Sequence, residues 1–229
     1  MWLLAVAMPA EARLLLDHFS PAGEVGGRPI YEGRLGPALG RRPACLVLTG
    51  MGQVNAAQAV TAVLERLPGV GAVVNLGCAG SLPASGLAPG DAALASEAVF
   101  ADLGIRTGRG WHGIRRVGIP LGQGPAGEPL YNRLPVDPTL LDLLAAAFPD
   151  TPVGPFACVN QISGDPATAG ELARRWDAVV EEMEGAAVAL VARHYAKPFA
   201  ALRGVSNLAG HRHLDVPLGA EAPQRLLLS

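Results

Sequence analysis

Glu11, the acidic run Glu181, Glu182 and Glu184, and the pair Ser206-Asn207 are the residues of this 229-residue chain whose types could do chemistry together. A carboxylate can take a proton from water or chelate two adjacent hydroxyls, whereas a carboxamide donates and accepts hydrogen bonds without giving up a proton. Each group stands just beyond an apolar run, and in open α/β sheets ligands bind outside the carboxyl ends of the strands. In EEMEG, 181–185, an extended backbone turns Glu182 and Glu184 to one face and Met183 to the other. The same acids equally suit the start of a helix, where the dipole favours negative charge. NLGCAGS, 75–81, reads as a glycine turn, either one that presents backbone N–H groups to a ligand or a plain strand-to-helix turn. GMGQVNA, 50–56, carries the same two readings.

The elements that must position these groups are legible as apolar runs at 2–7, 44–50, 71–77, 91–100, 154–160 and 198–206. They are rich in valine, leucine and alanine, as strands buried on both faces are. Helical patterns cover Gln53 to Leu67, Ala167 to Trp176, where Thr168 and Glu171 have capping-box spacing, and Glu184 to Tyr195. Strands alternating with helices predict an α/β sheet covered on both sides, in one domain spanning 1–229. The stretch 107–138, rich in glycine and proline, is expected to be a loop, either a wall or lid for a site or a surface excursion.

Composition narrows the partners. With a net charge of −2 and Lys197 as the only lysine, the chain has no basic stripe for nucleic acid or an anionic membrane, so a small-molecule substrate is expected. Cys45, Cys78 and Cys158 are odd in number and far apart, which suits neither a disulfide framework nor a cysteine zinc site and fits a reducing cytoplasm. The opening MWLLAVAMPAEARLLL lacks a basic leader and is interrupted by Glu11 and Arg13, so it reads as a strand followed by a helix. His211 and His213 have no third ligand of clear spacing, and no metal and no cofactor are expected.

Two segments together, VVNLGCAGSLPASGLAPGD at 73–91 and EEMEGAAVALVARHYAKPFAALRGVSN at 181–207, resemble the nucleoside phosphorylase and nucleosidase superfamily. The resemblance implies a three-layer α/β/α fold with a central twisted mixed β-sheet, cleavage of the N-glycosidic bond of a purine nucleoside, and a homodimer. It places Glu184, with Glu182 beside it, at the ribose hydroxyls, and Met183 against the sugar. Gln161 and Ile162 would line the base pocket, Ser206 and Asn207 would face the purine, and Cys78, Ala79 and Gly80 would border the entry of the nucleophile. Glu11 matches the glutamate that activates water in the nucleosidases, and Asn75 stands where bacterial phosphorylases carry a phosphate-binding arginine, so water is the expected nucleophile. Adenine-directed members have aspartate where this chain has Asn207. An amide suits a 6-oxopurine, hypoxanthine above guanine, because a buried group left unpaired discriminates strongly. This combination looks most like the futalosine-hydrolase branch, whose substrate carboxylate would find Arg212 between His211 and His213. Alternatives are a methylthioadenosine/S-adenosylhomocysteine nucleosidase, disfavoured by Asn207, and a phosphorylase, disfavoured by Asn75. An idle nucleoside sensor and a dinucleotide module, the latter lacking its third glycine at Asn55, are the alternatives outside catalysis.

Overall fold

The computed structural model describes residues 1–211 and 220–229. Its strands in chain order are β1 Trp2–Val6, β2 Ser20–Val25, β3 Arg28–Arg34, β4 Pro43–Leu48, β5 Ala72–Ser81, β6 Ala92–Phe100, β7 Gly104–Thr107, β8 Gly110–Gly113, β9 Gly122–Gln123, β10 Pro129–Leu130, β11 Arg133–Pro135, β12 Val153–Cys158, β13 Val180–Glu182 and β14 Phe199–Leu208. The α-helices are α1 Arg13–Leu16, α2 Gln53–Arg66, α3 Pro138–Ala147, α4 Pro166–Trp176, α5 Gly185–His194 and α6 Glu221–Leu228. All six apolar runs form strands, and the three helical patterns form α2, α4 and α5. The cap of α4 differs from expectation. Asp165 accepts the N–H of Thr168 at 2.9 Å and its hydroxyl at 2.8 Å, so the aspartate before Pro166 starts the helix rather than Thr168.

The main sheet has ten strands, and its parallel centre is β4-β1-β5. On one side β3 extends it antiparallel to β4, and β2 follows antiparallel to β3. On the other side the sheet closes on itself, correcting the plain twisted sheet expected from sequence. β5 pairs with β13, β13 with β12, β12 with β6, β6 with β14 and β14 with β5, a closed five-strand barrel within the larger sheet. Strand length is the reason. β1 covers β5 only from Ala72 to Leu76, and the freed edge at Gly80 and Ser81 takes β13 instead. Where β14 runs beside the far end of β5, Val205 pairs with Ala79 and Asn207 with Gly80, leaving Ser206 as a bulge. Bulges bend a strand and re-aim its side chains, and they are common beside active sites.

Helices cover both faces. Val60 and Val63 of α2 and Val188 of α5 pack into one core, while Leu15 of α1, Leu140 and Leu144 of α3 and Leu227 of α6 fill the other. Leu172 and Trp176 of α4 close a smaller third cluster. Each fully buried leucine of this kind contributes roughly 2 kcal/mol by leaving water. The stretch 107–138 is more ordered than a loop: β7 pairs with β8, β9 with β10, and β11 joins β6. Among the described residues no helix is long and apolar enough to cross a membrane.

Candidate active site

Glu11 lies in a single 3-10 turn, Pro9–Ala12, that begins where β1 ends, with proline pre-set for its first position. It is only 4% exposed. Its Oε2 accepts the N–H of Met8 at 3.1 Å and its Oε1 accepts the N–H of Cys78 at 2.9 Å, so both oxygens are fixed by backbone donors. The segment carrying Cys78 is not the glycine turn expected from NLGCAGS. It continues β5 without a break to Ser81, and neither Gly77 nor Gly80 has a positive φ. The glycines are required by close approach instead: a Cβ on Gly77 would stand 2.9 Å from Glu11 Oε1, and one on Gly80 would stand 3.4 Å from Ala209.

The acidic run resolves both of its readings. Glu182 ends β13, the chain turns at Met183, and Glu184 is the N-cap of α5. Both carboxylates border the same cleft, but that of Glu182 is engaged mainly inside the protein. Its Oε2 accepts the N–H groups of Glu184 and Gly185 at 2.9 and 2.7 Å and pairs with Arg203. Gly185 makes room for it, since a Cβ there would meet Glu182 Oε1 at 2.8 Å. Glu184 Oε1 accepts the N–H of Gly52 at 2.8 Å, and its Oε2 lies 3.8 Å from Arg203. Burial, and secondarily the charge of Glu182, push the Glu184 carboxyl up to about 7, against the pull of Arg203 and Gly52.

Arg203 was not among the residues expected from sequence. It is fully buried in β14 and bonds Glu182 and the Oδ1 of Asn75. Asn75 in turn donates to the Ala5 carbonyl at 2.9 Å, so it faces the sheet interior and steadies the arginine rather than meeting a nucleophile. The signal was present: an arginine inside the apolar run PFAALRGVS requires a buried partner of opposite charge.

Cys78, Ala79, Gly80, Ile162, Met183, Ser206 and Asn207 line one cleft with Glu11, Glu182 and Glu184. Sequence reasoning missed Ala7, Met8 and Met51, which give it an apolar end, and Ser163, while Glu181 of the acidic run also lines it. Gln161 lies elsewhere, in an adjoining groove of about 760 Å³ that also holds Trp111 and Arg175. No residue of 107–138 lines the cleft among the described residues. His211 is exposed, and Arg212 and His213 lie outside the described residues. Ser206 Oγ lies 2.8 Å from Asn207 Oδ1 and 3.2 Å from the Ala79 carbonyl, as donor. Asn207 Nδ2 donates one proton to the Leu208 carbonyl at 2.8 Å. Its second proton has no partner among the described residues. Burial and the neighbouring Glu11 push the Cys78 thiol well above its ordinary range. Among the described residues no group of three His, Cys, Asp or Glu side chains could hold a metal ion. The arrangement thus offers a fixed carboxylate, a second carboxylate of raised pKa and a neutral amide donor around one space.

Comparison with known proteins agrees with this geometry. The model of the phosphorylase superfamily matches residues 3–225. Futalosine hydrolase of Thermus thermophilus is 39% identical over 72% of this chain and 69% of its own length. The 5'-methylthioadenosine/S-adenosylhomocysteine nucleosidase of Anoxybacillus flavithermus is 32% identical over 89% of this chain and 84% of its own. In three dimensions, S-adenosylhomocysteine nucleosidase from Streptococcus pyogenes, solved with 5-methylthiotubericidin, aligns with a TM-score of 0.79 at 27% identity, covering 99% of this chain and 94% of that one. A family match over nearly the whole length, on a fold and cleft of this kind, makes the chain a member of the phosphorylase superfamily.

Proposed function

We propose that the protein hydrolyses the N-glycosidic bond of a 6-oxopurine nucleoside, with futalosine as substrate and hypoxanthine as the departing base. Hydrolysis of a nucleoside is supported by the relatives above and by the charge of the cleft. Glu11, Glu182 and Glu184 surround a single buried guanidinium, Arg203, which is already paired, and none of the described residues lining the cleft is a cation, so a phosphate dianion finds no free partner there. Water suits such a site.

The observation that carries the choice of base is the bond from Ser206 to Asn207 Oδ1. A free carboxamide can read adenine with both its groups, taking the 6-amino proton on oxygen and donating to N7. Here the Ser206 hydroxyl occupies one of the two acceptor sites on that oxygen and sets the orientation of the amide, whose nitrogen keeps one proton to give. That donor fits O6 and N7 of a 6-oxopurine, both acceptors. In the reaction, the water oxygen bonds to C1' of the ribose and its proton passes to Glu11, while the electron pair of the C–N bond leaves with the base. Asn207 steadies the charge that gathers there, and the base takes its proton from solvent. Glu184, ionised, accepts from the ribose hydroxyls, and Met183 packs on the sugar. Assistance by a general base such as Glu11 is worth about 10² to 10⁴ in rate.

A second reading, an adenine-releasing nucleosidase, is favoured by the 32% identity over 89% of the chain. Met51 and Val54, 58% and 82% exposed beside the cleft, support a homodimer, and we place the enzyme in the cytoplasm. The test is base release, resolved by chromatography, from futalosine, inosine and methylthioadenosine, each with and without phosphate. Phosphate-independent hypoxanthine release from futalosine is expected. Adenine release from methylthioadenosine alone would establish the second reading, and a strict phosphate requirement would overturn both.

A further inference from the structure

Between β12 and α4 the chain passes through Asn160, Gln161, Ile162, Ser163 and Gly164, a turn that separates the cleft from the adjoining groove; Ile162 and Ser163 line both. Carboxylates from elsewhere in the fold hold it at each end. Asp102, just after β6, accepts the N–H of Asn160 at 2.6 Å and its side-chain amide at 3.4 Å. Glu181, on β13, accepts the N–H of Ser163 on both oxygens at 3.0 Å and the Ser163 hydroxyl at 2.5 Å. Strand alternation sends Glu181 to the face opposite Glu182, away from Arg203. At 6% exposure, a carboxylate is tolerated only where hydrogen bonds replace its water, and Ser163 supplies three of them.

What the grip leaves open is as informative as what it holds. Ile162 is half-buried against the cleft, and neither its N–H nor its C=O has a partner among the described residues. Backbone groups in such a place are normally paired. One donor and one acceptor on a single residue match the edge of a purine in either of two registers. A 6-oxopurine offers O6 as acceptor and N1–H as donor, whereas a 6-aminopurine offers a donor at position 6 and an acceptor at N1. The two matches need the backbone of Ile162 in different places, so whatever fixes that backbone chooses the base.

We infer that Glu181 is a specificity-determining positioning residue: by gripping Ser163 it sets where the N–H and C=O of Ile162 stand against the edge of the base. This rests on the nucleosidase reading and deepens it. The test is steady-state kinetics of the full chain on futalosine and methylthioadenosine, with inhibition by free hypoxanthine and free adenine, for wild type, Glu181→Ala, Glu181→Gln and Ser163→Ala. Loss of a hydrogen bond to a charged group changes binding on the order of 10-fold or more. Glu181→Ala is therefore expected to raise KM for the cleaved nucleoside and the inhibition constant of its base by about 10-fold, with kcat unchanged. Glu181→Gln keeps an acceptor oxygen for the Ser163 N–H and is expected to recover most of the loss, and Ser163→Ala to fall between. Unchanged inhibition by the free base in both Glu181→Ala and Ser163→Ala, or a fall in kcat alone, would overturn the inference. Should Glu181→Ala fail to fold, Ser163→Ala decides. If the wild type releases adenine rather than hypoxanthine, the proposed substrate falls, while the grip of Glu181 is judged by the same measurements made with adenine.

Discussion

Replacing Glu184 by glutamine should make the protein's stability less sensitive to pH, and the structure sets the size of the effect. The carboxyl is raised from 4.5 to about 7, first by burial and then by Glu182, with Arg203 and the Gly52 N–H opposing. A rise of about 2.5 units at ~1.4 kcal/mol per unit amounts to about 3 kcal/mol. Between those two pKa values the folded chain keeps a proton that the unfolded chain has released. Stability is therefore fully present below about pH 4.5 and is lost as pH rises through about 7. Glutamine has no proton to lose and keeps an oxygen for the Gly52 N–H. Urea denaturation of wild type and Glu184→Gln at a series of pH values from about 4.5 to 8 isolates the term, because every other titrating group is shared. The difference in unfolding free energy should shift toward the glutamine variant by about 3 kcal/mol across that range. A difference that stays flat would refute the buried, repelled carboxylate described above. In the wild type, kcat/KM should rise with pH on a limb near 7, since only the ionised Glu184 accepts from both ribose hydroxyls.

Gly77→Ala should lower kcat/KM on the order of 10²-fold and lower thermal stability as well, because its Cβ would sit 2.9 Å from Glu11 Oε1 and displace that buried carboxylate from its backbone donors. Arg203→Met should destabilise the fold by about 3 to 5 kcal/mol in urea titrations, since it strips Glu182 of its buried partner. Cys78 should resist alkylation by iodoacetamide at mildly alkaline pH despite lining the cleft, and Glu11→Gln should speed the labelling by removing the neighbouring charge; mass spectrometry reads both.

The strands and helices that carry the site were legible in the sequence wherever burial imposes a period or a long apolar run, as at Leu3, Val47, Val74 and Leu202. Less visible were elements without such a run: β2 is almost wholly exposed, and β13 has three residues and owes its place to the edge that β5 leaves free. Closure of the barrel depends on relative strand lengths and on β14 pairing at both edges, and no local pattern encodes that. At the site, Glu11 and Glu184 stand out because each carboxylate follows an apolar run, but a helix start would place an acid there equally well, and only the ordered set of motifs favours a role at a site. NLGCAGS was misread because glycine serves tight turns and close approaches alike, and only the position of Glu11 tells them apart. Met8 and Met51 carry no chemical signature and reach the cleft only through the fold.

The closed barrel has a consequence for motion. Cys78 to Gly80, Glu181 and Glu182, and Arg203 to Asn207 all belong to strands of one hydrogen-bonded ring, and β14 is laddered on both sides. Such a circuit has no free end from which to fray, so the amides paired within it, unlike that of the Ser206 bulge, should exchange with solvent only when the whole domain opens, while those of the outer hairpin β2-β3 exchange by local release. Breathing of the cleft is then left to segments outside the ring: the Gly50–Gly52 bend that touches Glu184, and the turn gripped by Glu181. Asn207 thus rides on the ring itself, whereas Glu11 and Glu184 stand on turns that adjoin it, and the parts that can be remodelled for a different base or ribose substituent hang from that frame as separate pieces.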